Sequence, residues 1–162
     1  MELSFEKYVS ELAPTAKATE KPTIFLLTCI DYRYAHRIVD LMDSEGLRRK
    51  YDTFSLAGAA AGANQVPEWR EVLVNHIRVA REIGHPIARL IILEHRDCGA
   101  YKKFFGLEWA KVLPPEETAA HLREVAILIE SLKAPFGDTL KIDSFLLARD
   151  EDDPLKIDAH DQ

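Results

Sequence analysis

Cysteine is scarce in this chain, with two residues in 162. That excludes the disulfide framework on which small secreted domains depend, and it makes the position of each cysteine informative. Long apolar runs are missing as well. None approaches the about 20 residues that a membrane-spanning helix requires. The opening stretch MELSFEKYVSELAPTAKATEKP is charged and holds no apolar core of a signal peptide. Basic residues are outnumbered, 21 Lys and Arg against 27 Asp and Glu, for a formal net charge of -6. This argues against nucleic acid or an anionic membrane surface as a partner. Internal repeats and low-complexity tracts are also lacking. The expected compartment is the reducing cytoplasm, where two cysteines are reduced, catalytic or metal-bound rather than a structural disulfide.

What is present reads as one domain over residues 1–162, with an N-terminal helix and arm in 1–21 and an acidic tail in 149–162. The hydrophobic share of 47% and charged share of 30% are ordinary for a globular domain. TIFLLTC (23–29) and RLIILEH (89–95) are nearly continuous apolar runs, as expected of strands covered on both faces of a parallel sheet. YDTFSLA (51–57) and LKIDSFLLA (140–148) alternate more and fit flanking strands.

Helical patterns lie between them. The first begins after Arg33, with Ile38, Leu41 and Met42 on one stripe. The second opens at Pro67 and stops at Gly84, with an apolar face of Val72, Leu73, His76, Val79, Ala80 and Ile83. The third follows Pro114 and Pro115 and carries acidic residues in its first turn. The segment SFEKYVSEL is a further helix, expected outside the sheet. This alternation predicts an α/β fold with a mainly parallel central sheet of about four to five strands flanked by helices.

Both cysteines fall at predicted strand ends. Cys29 and Asp31 close the first strand in TCIDYR; His95 and Cys98 close the third in EHRDCGAY. Open α/β sheets bind ligands outside the carboxyl ends of their strands. If the first and third strands are neighbours, Cys29, His95 and Cys98 converge on one crevice. Two thiolates and an imidazole suit Zn²⁺, and three protein ligands leave a tetrahedral ion one open position. Singly, each residue has a plainer reading, since a cysteine ending a buried strand is ordinarily a small hydrophobe. The joint pattern favours the metal. His36, His76, His85, His121 and His160 lack such a setting and read as helix-face, loop or tail residues.

CIDYR fits C-x-D-x-R and HRDCG fits H-x-x-C-G. In this order the two motifs resemble those of the β-class carbonic anhydrases, over about Thr23 to Gly106 and more loosely to Ala148. The resemblance implies one zinc per chain on Cys29, His95 and Cys98. It implies reversible hydration of carbon dioxide to bicarbonate by a zinc-bound hydroxide, with Asp31 and Arg33 as catalytic residues. Asp31 would orient the hydroxide, and Arg33 would keep Asp31 off the metal. It also implies a homodimer or higher homo-oligomer.

The chain departs from the family in three places. Ser55 and Leu56 stand where the family has the Arg-Asn of an Arg-Asn-Ala-Gly stretch, of which Ala57 and Gly58 remain. No glutamine precedes Pro22 to reach the substrate pocket. Tyr32, Tyr34, Tyr101, Phe104 and Phe105 crowd the motifs, as channel wall or as core. These departures spare the zinc ligands and open the choice of substrate. Carbonyl sulfide and carbon disulfide are linear electrophiles of the same kind. A catalytically inactive zinc protein with Asp31 as fourth ligand and a Cys29–Cys98 redox pair are the other readings.

Overall fold

Two apolar strands lie side by side at the centre of the sheet. The computed structural model describes residues 21–108 and 114–147, and the backbone of 155–156. Its strands are β1 (Ile24–Cys29), β2 (Tyr51–Leu56), β3 (Arg89–His95), β4 (Lys141–Leu147) and β5 (Leu155–Lys156). They run in the order β2-β1-β3-β4-β5. The first four are parallel and β5 is antiparallel to β4. The α/β expectation therefore holds, and so does the adjacency of the first and third strands. β5 falls within the tail expected to be loose. Its pairing with Phe145 and Leu146 covers what would otherwise be an open sheet edge. The helix expected at residues 4–12 lies outside the described residues.

The helices are α1 (Ala35–Ser44), α2 (Ala60–Gln65), α3 (Pro67–Glu82), α4 (Gly99–Phe105) and α5 (Pro114–Phe136). Alternate residues of each strand serve two apolar layers. Ile24, Leu26, Ile91 and Leu93 pack with Ile38 and Met42 of α1. Phe25, Leu27, Leu90 and Ile92 pack on the other face with α2, α3 and α5.

Two of the six residues expected on the apolar face of α3, Leu73 and Ala80, are buried as expected, and Ile77 joins them. Val72, His76, Val79 and Ile83 are exposed. The sequence carries two helical stripes one residue apart. The core takes the one with Leu73, Ile77 and Ala80. Among the described residues, no helix is long and apolar enough to cross a membrane.

Candidate metal centre

Register places the chemistry beyond the sheet. The β1–β3 pairing ends at Thr28 opposite Leu93, so Cys29 and His95 sit at the carboxyl ends of their strands. Cys98 follows in the turn that opens α4, after Asp97 at φ +56°. That turn is tied to the first turn of α5. Glu117 accepts the Asp97 N–H at 2.7 Å and an Arg96 guanidinium N–H at 3.1 Å, and Thr118 accepts another at 2.9 Å.

The ligating atoms of Cys29, His95 and Cys98 lie within 4.8 Å of one another, a group able to hold a metal ion. Two observations fit a tetrahedral cation. The Cys29 and Cys98 sulfurs are 3.8 Å apart. That is far beyond the disulfide length of about 2.05 Å, and is about the span of two thiolates that share one zinc at about 2.3 Å. His95 is buried, and its Nδ1 hydrogen-bonds the Arg96 carbonyl at 2.8 Å. This fixes the proton on Nδ1 and leaves the Nε2 lone pair open. Nε2 is itself buried and has no hydrogen-bond partner among the described residues. A buried imidazole nitrogen without a hydrogen-bond partner, set beside two sulfurs, has the chemistry of a metal donor set.

The electrostatics follow from this crowding. Cys29 is held down to about 4, first by the hydrogen bond from Cys98, against burial, and further by His95 and the Gly58 N–H. Cys98 is pushed up by the same shared hydrogen bond, by burial and by the charge on Cys29. Burial lowers the basicity of His95, but the thiolate of Cys29, the Arg96 carbonyl and Asp31 outweigh it and raise its pKa. Each shift expresses a cluster of donors competing for too few protons, a conflict that a divalent cation removes.

Asp31 stands beside the cluster. Its Oδ2 is 3.8 Å from His95 Nε2, outside hydrogen-bonding range. Arg33 grips the carboxylate. Nε donates to Oδ1 at 3.0 Å, one terminal nitrogen donates to Oδ2 at 2.6 Å, and the Arg33 backbone N–H donates to Oδ1 at 3.0 Å. The same terminal nitrogen donates to the Asp97 carbonyl at 3.0 Å, which joins the fork to the turn before Cys98. Arg33 holds Asp31 down at about 2, against burial. Cys29 and Asp31, but not His95 or Cys98, also line a cavity of about 380 Å³ between α1 and the β1–β2 edge, with Thr28, Ile38, Thr53 and Ser55 among its other walls. Small-molecule sites have this size.

All five residues singled out in the sequence thus meet. Of the crowding aromatics, Tyr34 and Tyr101 are core: Tyr34 stacks on His95 at 4.3 Å, whereas Tyr32 is exposed. Ser55 bonds Thr28 at 2.8 Å, and Leu56 belongs to the core. His121 corrects the reading above. It is not a plain helix-face residue but is fully buried, 3.2 Å from the equally buried Glu94. Glu94 was missed because it hides in an apolar strand. The signal was there, since a carboxylate in such a run needs a buried partner.

No family model matches the chain. An uncharacterized protein of Rickettsia conorii is 30% identical over 136 residues, covering 83% of this chain and 72% of that protein. The chain belongs to the family of that rickettsial protein. A second member, an uncharacterized protein of Rickettsia bellii, is 29% identical over 136 residues, covering 83% and 81%. Among solved structures, the β-carbonic anhydrase CafA of Aspergillus fumigatus superposes with a TM-score of 0.53 at 17% identity, over 97% of this chain and 85% of that one. The chain therefore shares the fold of that β-carbonic anhydrase.

Proposed function

We propose that the chain is a zinc-dependent lyase that hydrates carbon dioxide reversibly to bicarbonate. The observation that carries the reading is the orphaned His95 Nε2 among the sulfurs of Cys29 and Cys98. Zinc bound by these three residues would supply a Lewis acid that lowers the pKa of a coordinated water toward about 7, less strongly than at a three-histidine centre because two thiolates cancel its charge.

The protein's own groups do the rest. Asp31 is ionised above about pH 2 and is acceptor-only. It would accept a hydrogen bond from a water held at the metal and so orient that water's lone pair toward the substrate carbon. Arg33 keeps both carboxylate oxygens engaged, so that Asp31 does not move in as a fourth ligand. This pairing favours the active reading over the inactive one. The apolar side of the cavity, with Ile38 and Leu26, suits a small uncharged substrate. The reading includes a homodimer, for which the sheet-edge strand β2 is an available surface, and a compartment that keeps both thiols reduced.

Stopped-flow hydration at about pH 7 and about pH 9, on protein assayed for zinc, tests the proposal. One zinc per chain with turnover that rises with pH and vanishes in Asp31→Asn is expected. Loaded protein without turnover sinks it. Hydrolysis of carbonyl sulfide or carbon disulfide by that same protein would move the assignment to a sulfur substrate.

A further inference from the structure

The loop that reaches Cys29 is held from behind by a buried carboxyl group. Gly58 donates its N–H to Cys29 Sγ at 3.3 Å. The next residue, Ala59, has φ +40° and ψ -104°, a strained conformation for a residue with a side chain. Such strain persists only where neighbours over-determine it. Backbone bonds from Ala59 N–H to the Leu56 carbonyl and from Ala61 N–H to the Gly58 carbonyl hold it locally, and the side chain that joins them is Glu94, whose Oε1 accepts the Ala60 N–H at 2.9 Å. Its Oε2 meets Nδ1 of His121 at 3.2 Å. Glu94 and His121 are both fully buried, and the Tyr101 ring stacks on His121 at 4.1 Å. Two peptide units therefore separate a buried carboxyl anchor from the N–H that touches the Cys29 sulfur.

We infer that Glu94, aimed by His121, is a positioning residue: through Ala60 and the strained Ala59 it sets the Gly58 N–H against Cys29 Sγ and so fixes the direction of the first metal ligand. A buried glutamate that only filled the core would need no strained neighbour. The consequence for metal binding rests on the zinc reading; the consequence for Gly58 does not.

The test uses hydrogen exchange of the full-length, metal-free protein, read by NMR at Gly58 and, as reporters of global opening, at Leu26 and Ile91. Glu94→Asp draws the carboxyl group back by about one C–C bond. It should speed Gly58 exchange by about tenfold, the ratio for losing one hydrogen bond to a charged acceptor, with the reporters unchanged. Glu94→Gln keeps an oxygen for Ala60. Its amide can pair with Nδ1 of His121 if that ring's proton moves to Nε2, which has no partner among the described residues. Glu94→Gln should therefore exchange like the parent. His121→Leu removes only the group that aims the carboxyl, and serves if Glu94→Asp does not fold; the same rise at Gly58 is expected.

A folded Glu94→Asp or His121→Leu protein with parental Gly58 exchange overturns the inference. So does loss of Gly58 protection in Glu94→Gln, and so does a rise shared equally by Leu26 and Ile91. Cobalt(II) titration is the second arm. Glu94→Asp should bind about tenfold more weakly with a shifted thiolate-to-metal band, and Glu94→Gln should match the parent. A parent protein that takes up no cobalt defeats the zinc reading and leaves the exchange result to decide this one.

Discussion

Arg33 clasps Asp31 through both of its carboxylate oxygens, and the same guanidinium reaches the backbone carbonyl of Asp97, one residue before Cys98. The pair is therefore oriented with respect to the ligand turn and is more than a surface ion pair. Arg33→Ala releases a carboxylate whose Oδ2 is already 3.8 Å from His95 Nε2. Zinc content should stay at the parental level, because Cys29, His95 and Cys98 are untouched. Hydration activity should fall about 10- to 100-fold, the usual weight of an outer partner at a metal site. Metal analysis and stopped-flow assay on one preparation check this. Loss of zinc, or retention of full activity, would show that Arg33 does something else.

The two cysteines differ in chemistry, and alkylation can tell them apart. In the metal-free protein the shared sulfur–sulfur hydrogen bond lowers the pKa of the half-buried Cys29, which also accepts the Gly58 N–H, and raises that of the buried Cys98. Thiolates are the reactive form. At pH 6, iodoacetamide should label Cys29 and leave Cys98 untouched in the folded chain, as read by peptide mass spectrometry. Zinc added first should protect Cys29, and a chelator should restore the labelling. Equal labelling of both residues would refute the asymmetry.

The sequence made the centre legible because soft ligands at strand ends are a rare pattern. Cys29, His95 and Cys98 come together as their spacing predicts, since β1 and β3 announce themselves as apolar runs. What stayed hidden depends on geometry finer than spacing. Val72–His76–Val79–Ile83 and Leu73–Ile77–Ala80 are both valid helical stripes, and only packing against the sheet selects the second. α2 was not anticipated, because AAGANQ has neither the length nor the apolar stripe that marks a helix. It forms because small residues let it sit close to α3 and α5. Ala59 carries a backbone conformation that nothing in its side chain signals.

Acid stability should report on Asp31. Its folded value of about 2 lies below the unfolded 3.8, so the pairing with Arg33 stabilises the folded state fully above the unfolded value. That contribution is lost as pH falls through about 2. Asp31→Asn lacks it at every pH. In urea titrations the parent should be more stable than Asp31→Asn at pH 5 to 6, and the gap should close on acidification toward pH 2. Carboxylates common to both proteins cancel in that difference. A gap that is constant with pH would mean that the pair adds no net stability.

Gly58 leaves no room for a side chain. Its φ is +77°, and a Cβ there would stand 2.8 Å from the Cβ of Ala100, two residues beyond Cys98. Gly58→Ala should cost about 1–2 kcal/mol from the left-handed backbone alone, with the crowding added. It should also weaken metal binding, because relief of the clash moves the loop away from Cys29 Sγ. Adding Ala100→Gly removes the clash but not the backbone strain. The double variant should recover part of the stability and most of the metal affinity, an interaction that a double-mutant cycle measures. Strictly additive losses would mean that the two positions do not press on each other, and that the loop's hold on Cys29 comes from elsewhere.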